Sequence, residues 1–182
     1  MQTRISMLRG INVSGQKKIQ MVELKGLYEA LGFTNVRTYV QSGNVLFDSH
    51  EPDANKLAGL IEARLEQYFI SRVPVFIRTP EEFQRIITAN PFFSGRLEDP
   101  SKLHVTFLYN PPSEVEINGL SAPETGGDEY LLGNQEIYLF CPNGYGRTKL
   151  SNSFFERKLN QPATTRNWNT VTTLYAMAIG EF

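Results

Sequence analysis

Two short polar segments in the first quarter of the chain contain the side chains and glycines that anion binding needs. Residues 9–20, RGINVSGQKKIQ, combine one arginine, two lysines and two glycines, and residues 41–44 are QSGN. Glycine lets a backbone N–H approach a ligand closely, and an arginine binds carboxylate or phosphate through two parallel hydrogen bonds. These segments predict a binding site for a small anionic group, such as that of a phosphate or a nucleotide.

A third polar segment, residues 163–170, reads ATTRNWNT. Its arginine is suited to the same bidentate binding, and the neighbouring threonine and asparagine can donate and accept around it. Trp168 is expected to anchor the core, because aromatic side chains chiefly bury area. The candidate ligand-binding residues of the whole chain are Arg9, Gly10, Asn12, Gly15, Lys17, Tyr39, Gln41, Ser42, Gly43, Asn44, Lys149, Thr165, Arg166 and Asn167.

The side chains that serve most often in nucleophilic catalysis and metal binding lie outside these segments. We expect His50 to be solvated, His104 to be structural and Cys141 to be a small packed hydrophobe. Spacings such as H-x-x-x-H and D-x-D-x-D-G are absent from the sequence. A Ser–His–Asp arrangement and a metal site are therefore disfavoured, and no cofactor is indicated.

Catalysis would have to depend on the arginines and lysines of the polar segments, with Tyr39 as a proton donor. That inventory suits phosphoryl or nucleotidyl transfer, but the segments lack an acid for magnesium unless Glu23 or Glu156 reaches the site. Binding without chemistry is favoured, and whether the protein is an enzyme stays open. Two other functions also stay open: binding of RNA or single-stranded DNA, and a regulatory role in docking a protein partner.

The hydrophobic pattern of residues 1–78 predicts the element order β-α-β-β-α-β, which is typical of a ferredoxin-like fold. The predicted strands are residues 4–8, 36–41, 45–47 and 73–77. The first helix begins near Met21, and the second carries an apolar stripe of Leu57, Leu60, Ile61, Leu65, Tyr68 and Phe69. Because a helical crossover makes the first two strands parallel, their C-terminal ends should meet. We expect residues 163–170 to lie at the same site.

Residues 79–182 predict a second half with a similar element order. Thr79, Pro80 and Glu82 have the spacing of an N-cap, a first helical proline and a capping box. The predicted strands are residues 103–109, 129–132 and 137–140, and the predicted helices are residues 153–159 and a last helix capped by Asn169 or Thr170. The fold class is therefore α+β, with ferredoxin-like halves 1–78 and 79–182 packed into one globule.

Composition and charge restrict the class of protein. The 182 residues carry a net charge of −1, include one cysteine and contain no apolar run long enough to span a membrane. The N-terminal sequence lacks a signal-peptide pattern, so we expect a cytoplasmic protein. A pI near 6.2 disfavours a nucleic-acid-binding surface, although residues 144–168 hold five basic side chains against one acidic side chain. A membrane partner is not expected, and the oligomeric state is not predicted.

The motifs RGIN, QSGN and TRNW, in that order, carry a resemblance to a known family. The stretches LRGINVSGQKKIQM, LGFTNVRTYVQSGNVLF and PATTRNWNT make the chain similar, over essentially its whole length, to bacterial proteins grouped as domain of unknown function 1697, or DUF1697. Ser14 stands where that family often has glycine. The resemblance implies two ferredoxin-like α+β halves in one globule, and it implies no activity.

Overall fold

The computed structural model describes residues 1–13, 15, 17–121, 123 and 126–181. Within them the chain is a mixed α+β protein with two four-stranded antiparallel sheets and six α-helices. The strands are β1 (Gln2–Leu8), β2 (Thr34–Tyr39), β3 (Asn44–Ser49), β4 (Val75–Arg78), β5 (Leu103–Leu108), β6 (Glu129–Leu132), β7 (Glu136–Phe140) and β8 (Ala163–Asn167). The helices are α1 (Met21–Glu29), α2 (Ala54–Phe69), α3 (Pro80–Thr88), α4 (Glu114–Asn118), α5 (Asn152–Lys158) and α6 (Trp168–Ile179).

The chain folds as two compact units, and each contains one sheet. Unit 1 consists of Met1–Phe83 with Thr173–Phe182, and unit 2 consists of Gln84–Thr172. The strand order is β2-β3-β1-β4 in the first sheet and β6-β7-β5-β8 in the second. In both sheets the first strand of the unit therefore lies in the centre and pairs with the third and the fourth.

The two sheets share the same hydrogen-bonding register although the sequence shows no repeat. Ile5 of β1 lies opposite Arg78 of β4, and Val105 of β5 lies opposite Arg166 of β8. Arg78 and Arg166 are both buried, and the Nη1 of each donates to the carbonyl of the residue before it, at 2.8 and 2.9 Å. The likeness of the two units therefore lies in their backbone pairing and in this one matched arginine.

The core of unit 1 lies between its sheet and helices α1 and α2. The buried rings of Tyr28, Phe33 and Phe47 pack against one another in tilted and edge-to-face pairs, with centroids 4.4 to 6.1 Å apart. Burying one such side chain contributes about 1.5–3 kcal/mol. The predicted stripe of α2 is wrong at Leu60 and Tyr68, which are 53% and 43% exposed. Leu60 lies on the flank of the stripe, and the hydroxyl of Tyr68 reaches a carboxylate on α1 instead.

The predicted start of α3 is confirmed and the predicted start of α6 is wrong. The Thr79 N–H donates to Glu82 Oε2 at 2.7 Å, and the Glu82 N–H donates to Thr79 Oγ1 at 3.2 Å. In α6 the cap is Asn167, whose Oδ1 accepts from the Thr170 N–H at 2.7 Å. The helix begins at Trp168, directly after β8. Its cap therefore precedes the two predicted cap residues, Asn169 and Thr170.

Strand β8 and α-helix α4 were not predicted from the sequence. The polar residues 163–167 form strand β8, which pairs with β5 and joins Thr165 to Thr106 through their hydroxyl oxygens at 2.7 Å. The five residues of α4 form a helix that begins with a capping box between Ser113 and Glu116. Neither segment has the apolar periodicity from which strands and helices are usually predicted.

Candidate functional site

The loop after β1 and the turn after β2 lie against each other at one edge of the first sheet. Asn12 joins them: its Nδ2 donates to the carbonyls of Ile19, at 3.0 Å, and Gln41, at 2.8 Å. Its Oδ1 accepts from the Ile19 N–H at 2.9 Å, and the Leu8 N–H donates to the Gly43 carbonyl at 2.9 Å. Because β1 and β2 both run antiparallel to β3, their C-terminal ends meet, as the sequence predicted.

The loop of residues 9–20 is held to the core of unit 1 at several points. Ile11 and Ile19 are buried. The Nζ of Lys17 donates to the Arg72 carbonyl at 2.6 Å, and the Arg9 N–H donates to the Pro74 carbonyl at 2.9 Å. Lys17 is one of the predicted ligand-binding residues, and its ammonium group uses one of its three donors for the main chain of unit 1.

The turn of residues 40–43 is shaped by Asn44 and Gly43. Asn44 is fully buried, and its Nδ2 donates to the carbonyl of Tyr39, at 3.1 Å, and to Ser42 Oγ, at 3.0 Å. Gly43 has a φ of +75°, and an added Cβ would lie 2.6 Å from Ile11 Cδ1. The QSGN motif therefore closes a tight turn and seats it against the loop that follows β1.

A cleft of about 840 Å³ opens beside this junction and ends on the first turn of α1. Of the predicted site residues it collects Asn12, Gly15 and Gln41. The described residues that line it are Asn12, Gly15, Lys18, Ile19, Gln20, Met21, Val22, Glu23 and Gln41. The sequence-based candidates omitted the other six lining residues, although the loop and the predicted helix start near Met21 placed them together: Lys18, Ile19, Gln20, Met21, Val22 and Glu23. Gly10 and Ser42 flank this junction, and Ser14 lies outside the described residues.

The cleft has a basic part and an acidic part. Lys18 is exposed on the loop, and helix geometry leaves the N–H groups of Met21 and Val22, in the first turn of α1, without acceptors inside the helix. Glu23 lies on the next position, where its Oε2 accepts from the Gln20 N–H at 3.0 Å and from the Tyr68 hydroxyl at 3.4 Å. The basic part of the cleft therefore favours an anionic group, and the acidic part favours a hydrogen-bond donor of the ligand.

The predicted site residues of unit 2 have structural partners of their own. The Nη1 of buried Arg166 donates to Thr164 Oγ1 at 2.8 Å as well as to the carbonyl of the preceding residue. The Thr165 hydroxyl donates to Asn152 Oδ1 at 2.6 Å, and Asn167 caps α6. Lys149 is exposed. Trp168 is 3% exposed and packs its ring 5.2 Å from that of Phe93, which confirms its role as a core anchor.

The histidine and the cysteine of unit 2 that could do chemistry are buried. His104 stacks on Tyr145, with ring centroids 4.8 Å apart, and burial lowers the pKa of its imidazole. Burial, with a smaller effect of the Asp128 charge, raises the pKa of Cys141 to about 11, so its thiol is protonated at neutral pH. Among the described residues, no group of three His, Cys, Asp or Glu side chains is arranged to hold a metal ion.

Comparison with known proteins assigns the chain to a family. A family model described as "Protein of unknown function (DUF1697)" matches residues 1–138, which include the RGIN and QSGN motifs. The chain belongs to the DUF1697 family. No curated protein matches the chain.

A solved structure has the same fold as this DUF1697 protein. The conserved bacterial protein SP0830 from Streptococcus pneumoniae superimposes with a TM-score of 0.76 at 22% identity, over 98% of this chain and 99% of the other. In the part of the chain that the structure describes, no helix has the length and apolar character that crossing a membrane requires.

Proposed function

We propose that the protein binds a small molecule with a phosphate or similar anionic group in the cleft beside α1. The observation that carries this proposal is the junction at Asn12, which holds a glycine-containing loop against the QSGN turn and leaves a cleft of about 840 Å³ at a helix start. Pockets of roughly 300–1,000 Å³ are typical of small-molecule sites. Asn12 itself is a structural clamp, because its amide oxygen and its amide nitrogen both form hydrogen bonds with backbone groups.

The basic part of the cleft is the place for the anionic group. Lys18 supplies a positive charge, and the N–H groups of Met21 and Val22 supply donors at the positive end of the helix dipole, worth about 0.3–1 kcal/mol for an anion. The amides of Gln20 and Gln41 and the carboxylate of Glu23 suit hydroxyl or amino groups elsewhere on the ligand. A phosphorylated metabolite or a nucleotide has both kinds of group.

Binding without catalysis fits this cleft best. Neither a histidine nor a cysteine is among the described residues that line it, and the one acid among them, Glu23, already accepts two hydrogen bonds. We propose that Arg9 and Tyr39, which lie in the two segments that meet at Asn12, belong to the same function. The contacts of Thr165, Arg166 and Asn167 support a role in shaping unit 2.

The test is a thermal-shift screen of nucleotides and phosphorylated metabolites at millimolar concentration, followed by calorimetry on the best binder. Ligand at 100 times its Kd adds about 2.7 kcal/mol of stability. Lys18→Gln should weaken binding about tenfold, equivalent to ~1.4 kcal/mol. Lys25→Gln is the matched control, because Lys25 is also a lysine of this region but pairs with Glu29 on α1 at 3.7 Å. No stabilisation by any compound, or equal losses in the two variants, would refute the proposal.

We also infer that each unit has the ferredoxin-like arrangement. Both sheets have the order second-third-first-fourth within their unit, and helices follow the first and the third strand of each. This inference supports the small-ligand function over nucleic-acid binding. RNA-binding sheets of this kind need exposed aromatic rings, whereas Ile5, Met7, Leu46 and Phe76 of the first sheet are all buried.

A further inference from the structure

A second cavity lies in unit 1 at the opposite end of β1 from the cleft. Because β1 and β4 are antiparallel with Ile5 opposite Arg78, the start of β1 lies next to the start of α3. Between them is a cavity of about 350 Å³. We call it the Arg4 cavity, and its lining is Gln2, Thr3, Arg4, Thr79, Pro80 and Glu81.

Arg4 is a buried cation that has no carboxylate at hydrogen-bond distance among the described residues. The side chain is 5% exposed, and its Nη2 donates to Gln2 Oε1 at 2.7 Å and to the carbonyls of Pro52 at 3.1 Å and Glu51 at 3.5 Å. Its Nε is buried and has no hydrogen-bond partner in the described part of the chain. Buried charges in proteins are normally paired, since an uncompensated one is costly.

Glu81 is the acidic residue in the lining of the cavity. Hydrogen bonds from the Glu81 N–H and from the Thr79 hydroxyl, with a smaller effect of the Arg4 charge, lower the pKa of this carboxyl. Glu81 is exposed, so it can turn outward into water at little cost. The nearby carboxylate of Glu51 is engaged elsewhere, accepting from the Asp53 N–H at 2.9 Å and lying 3.9 Å from Lys56.

We propose that the Arg4 cavity is a second anion site, which binds the phosphate group of a small molecule in exchange for the Glu81 carboxylate. The donors that Glu81 would release are the Thr79 hydroxyl and its own N–H, and Arg4 adds a guanidinium. Three donor groups match the three terminal oxygens of a phosphate monoester. The α3 dipole favours the same charge. This site shares none of its residues with the cleft beside α1, so the two proposals stand or fall separately.

The test is a titration of the protein with inorganic phosphate at constant ionic strength, followed by two-dimensional NMR of the backbone amides. Saturable shifts are expected at Arg4, Thr79 and Glu81. Glu81→Gln should bind phosphate about fivefold more tightly, since it removes the competing internal charge. Glu51→Gln is the matched control, because it removes a charge from the same end of unit 1 without vacating the cavity, and it should change the affinity less than about twofold.

A second variant tests the arginine without removing its charge. Arg4→Lys should lose about tenfold in phosphate affinity, because lysine lacks the planar fork, and its unfolding midpoint shows whether it is folded. Lys18→Gln should leave these shifts unchanged. Absence of saturable shifts in both wild type and Glu81→Gln, or shifts confined to the start of α1, would overturn the proposal. Equal gains in the two glutamine variants would also overturn it. The same titration with acetate in place of phosphate distinguishes a site that binds carboxylates in general from a site that binds phosphate.

Discussion

Replacing Gly43 by alanine should destabilise the protein more than any other glycine substitution of similar backbone conformation in unit 1. The new Cβ would lie 2.6 and 2.8 Å from two side-chain carbons of Ile11 and 3.0 Å from Leu8 Cβ. Favourable carbon contacts need about 3.5–4.0 Å, so buried side chains must move by about 1 Å. A left-handed alanine costs about 1–2 kcal/mol, and overpacking adds about 1–3 kcal/mol. The expected loss is roughly 2–5 kcal/mol.

Gly10 provides a matched control for the backbone part of this cost. Its φ is +74°, against +75° for Gly43, and an added Cβ would have no neighbour within 4 Å. Gly10→Ala should therefore lose only about 1–2 kcal/mol. Urea denaturation followed by circular dichroism measures both losses, and their difference isolates the steric contact. In a double-mutant cycle, Ile11→Ala combined with Gly43→Ala should lose less than the sum of the single losses by about 1 kcal/mol or more.

Two results would refute this reasoning. If Gly43→Ala and Gly10→Ala lose the same stability, the close packing of the QSGN turn against Ile11 contributes nothing. If the double mutant is additive, the extra loss at Gly43 comes from somewhere other than the Ile11 side chain.

Three further substitutions have outcomes that follow from single contacts. Asn12→Ala removes three hydrogen bonds to backbone groups and should lower the free energy of unfolding by about 2–4 kcal/mol, measured in urea; a loss below about 0.5 kcal/mol would contradict the clamp. Tyr28→Phe leaves the buried Ser6 hydroxyl without its partner at 2.7 Å and should cost about 1–3 kcal/mol in the same assay. The imidazole of His104 has a lowered pKa in the folded state, so wild-type stability should fall as the pH drops below the ordinary histidine pKa of about 6.5, because the unfolded chain then takes up the proton. His104→Phe should flatten that fall in denaturation series from pH 7.5 to pH 5, and an unchanged slope would contradict it.

Elements with a strong local signal were predictable from the sequence. Thr79, Pro80 and Glu82 specify a helix start through contacts within four residues, and the structure has those contacts. The meeting of residues 9–20 with residues 41–44 also followed from the sequence, because the handedness and direction of a β-α-β crossover leave few alternatives.

Elements that depend on distant partners were not predictable. The residues of β8 are polar, and they form a strand because β5 offers its free edge and because the Thr106 hydroxyl bonds Thr165. The role of Asn12 as a clamp depends on a carbonyl 29 residues away, which spacing in the sequence does not reveal. Arg4 illustrates the same limit, since its guanidinium donates to the carbonyls of residues 51 and 52.

The most direct test of the central claim is the crystal structure of the protein with the tightest-binding compound of the phosphate screen. The account predicts electron density for the anionic group between the Lys18 ammonium and the N–H groups of Met21 and Val22, with the rest of the ligand against Gln20, Glu23 or Gln41. Density for the ligand elsewhere, with the cleft beside α1 holding only water, would contradict it.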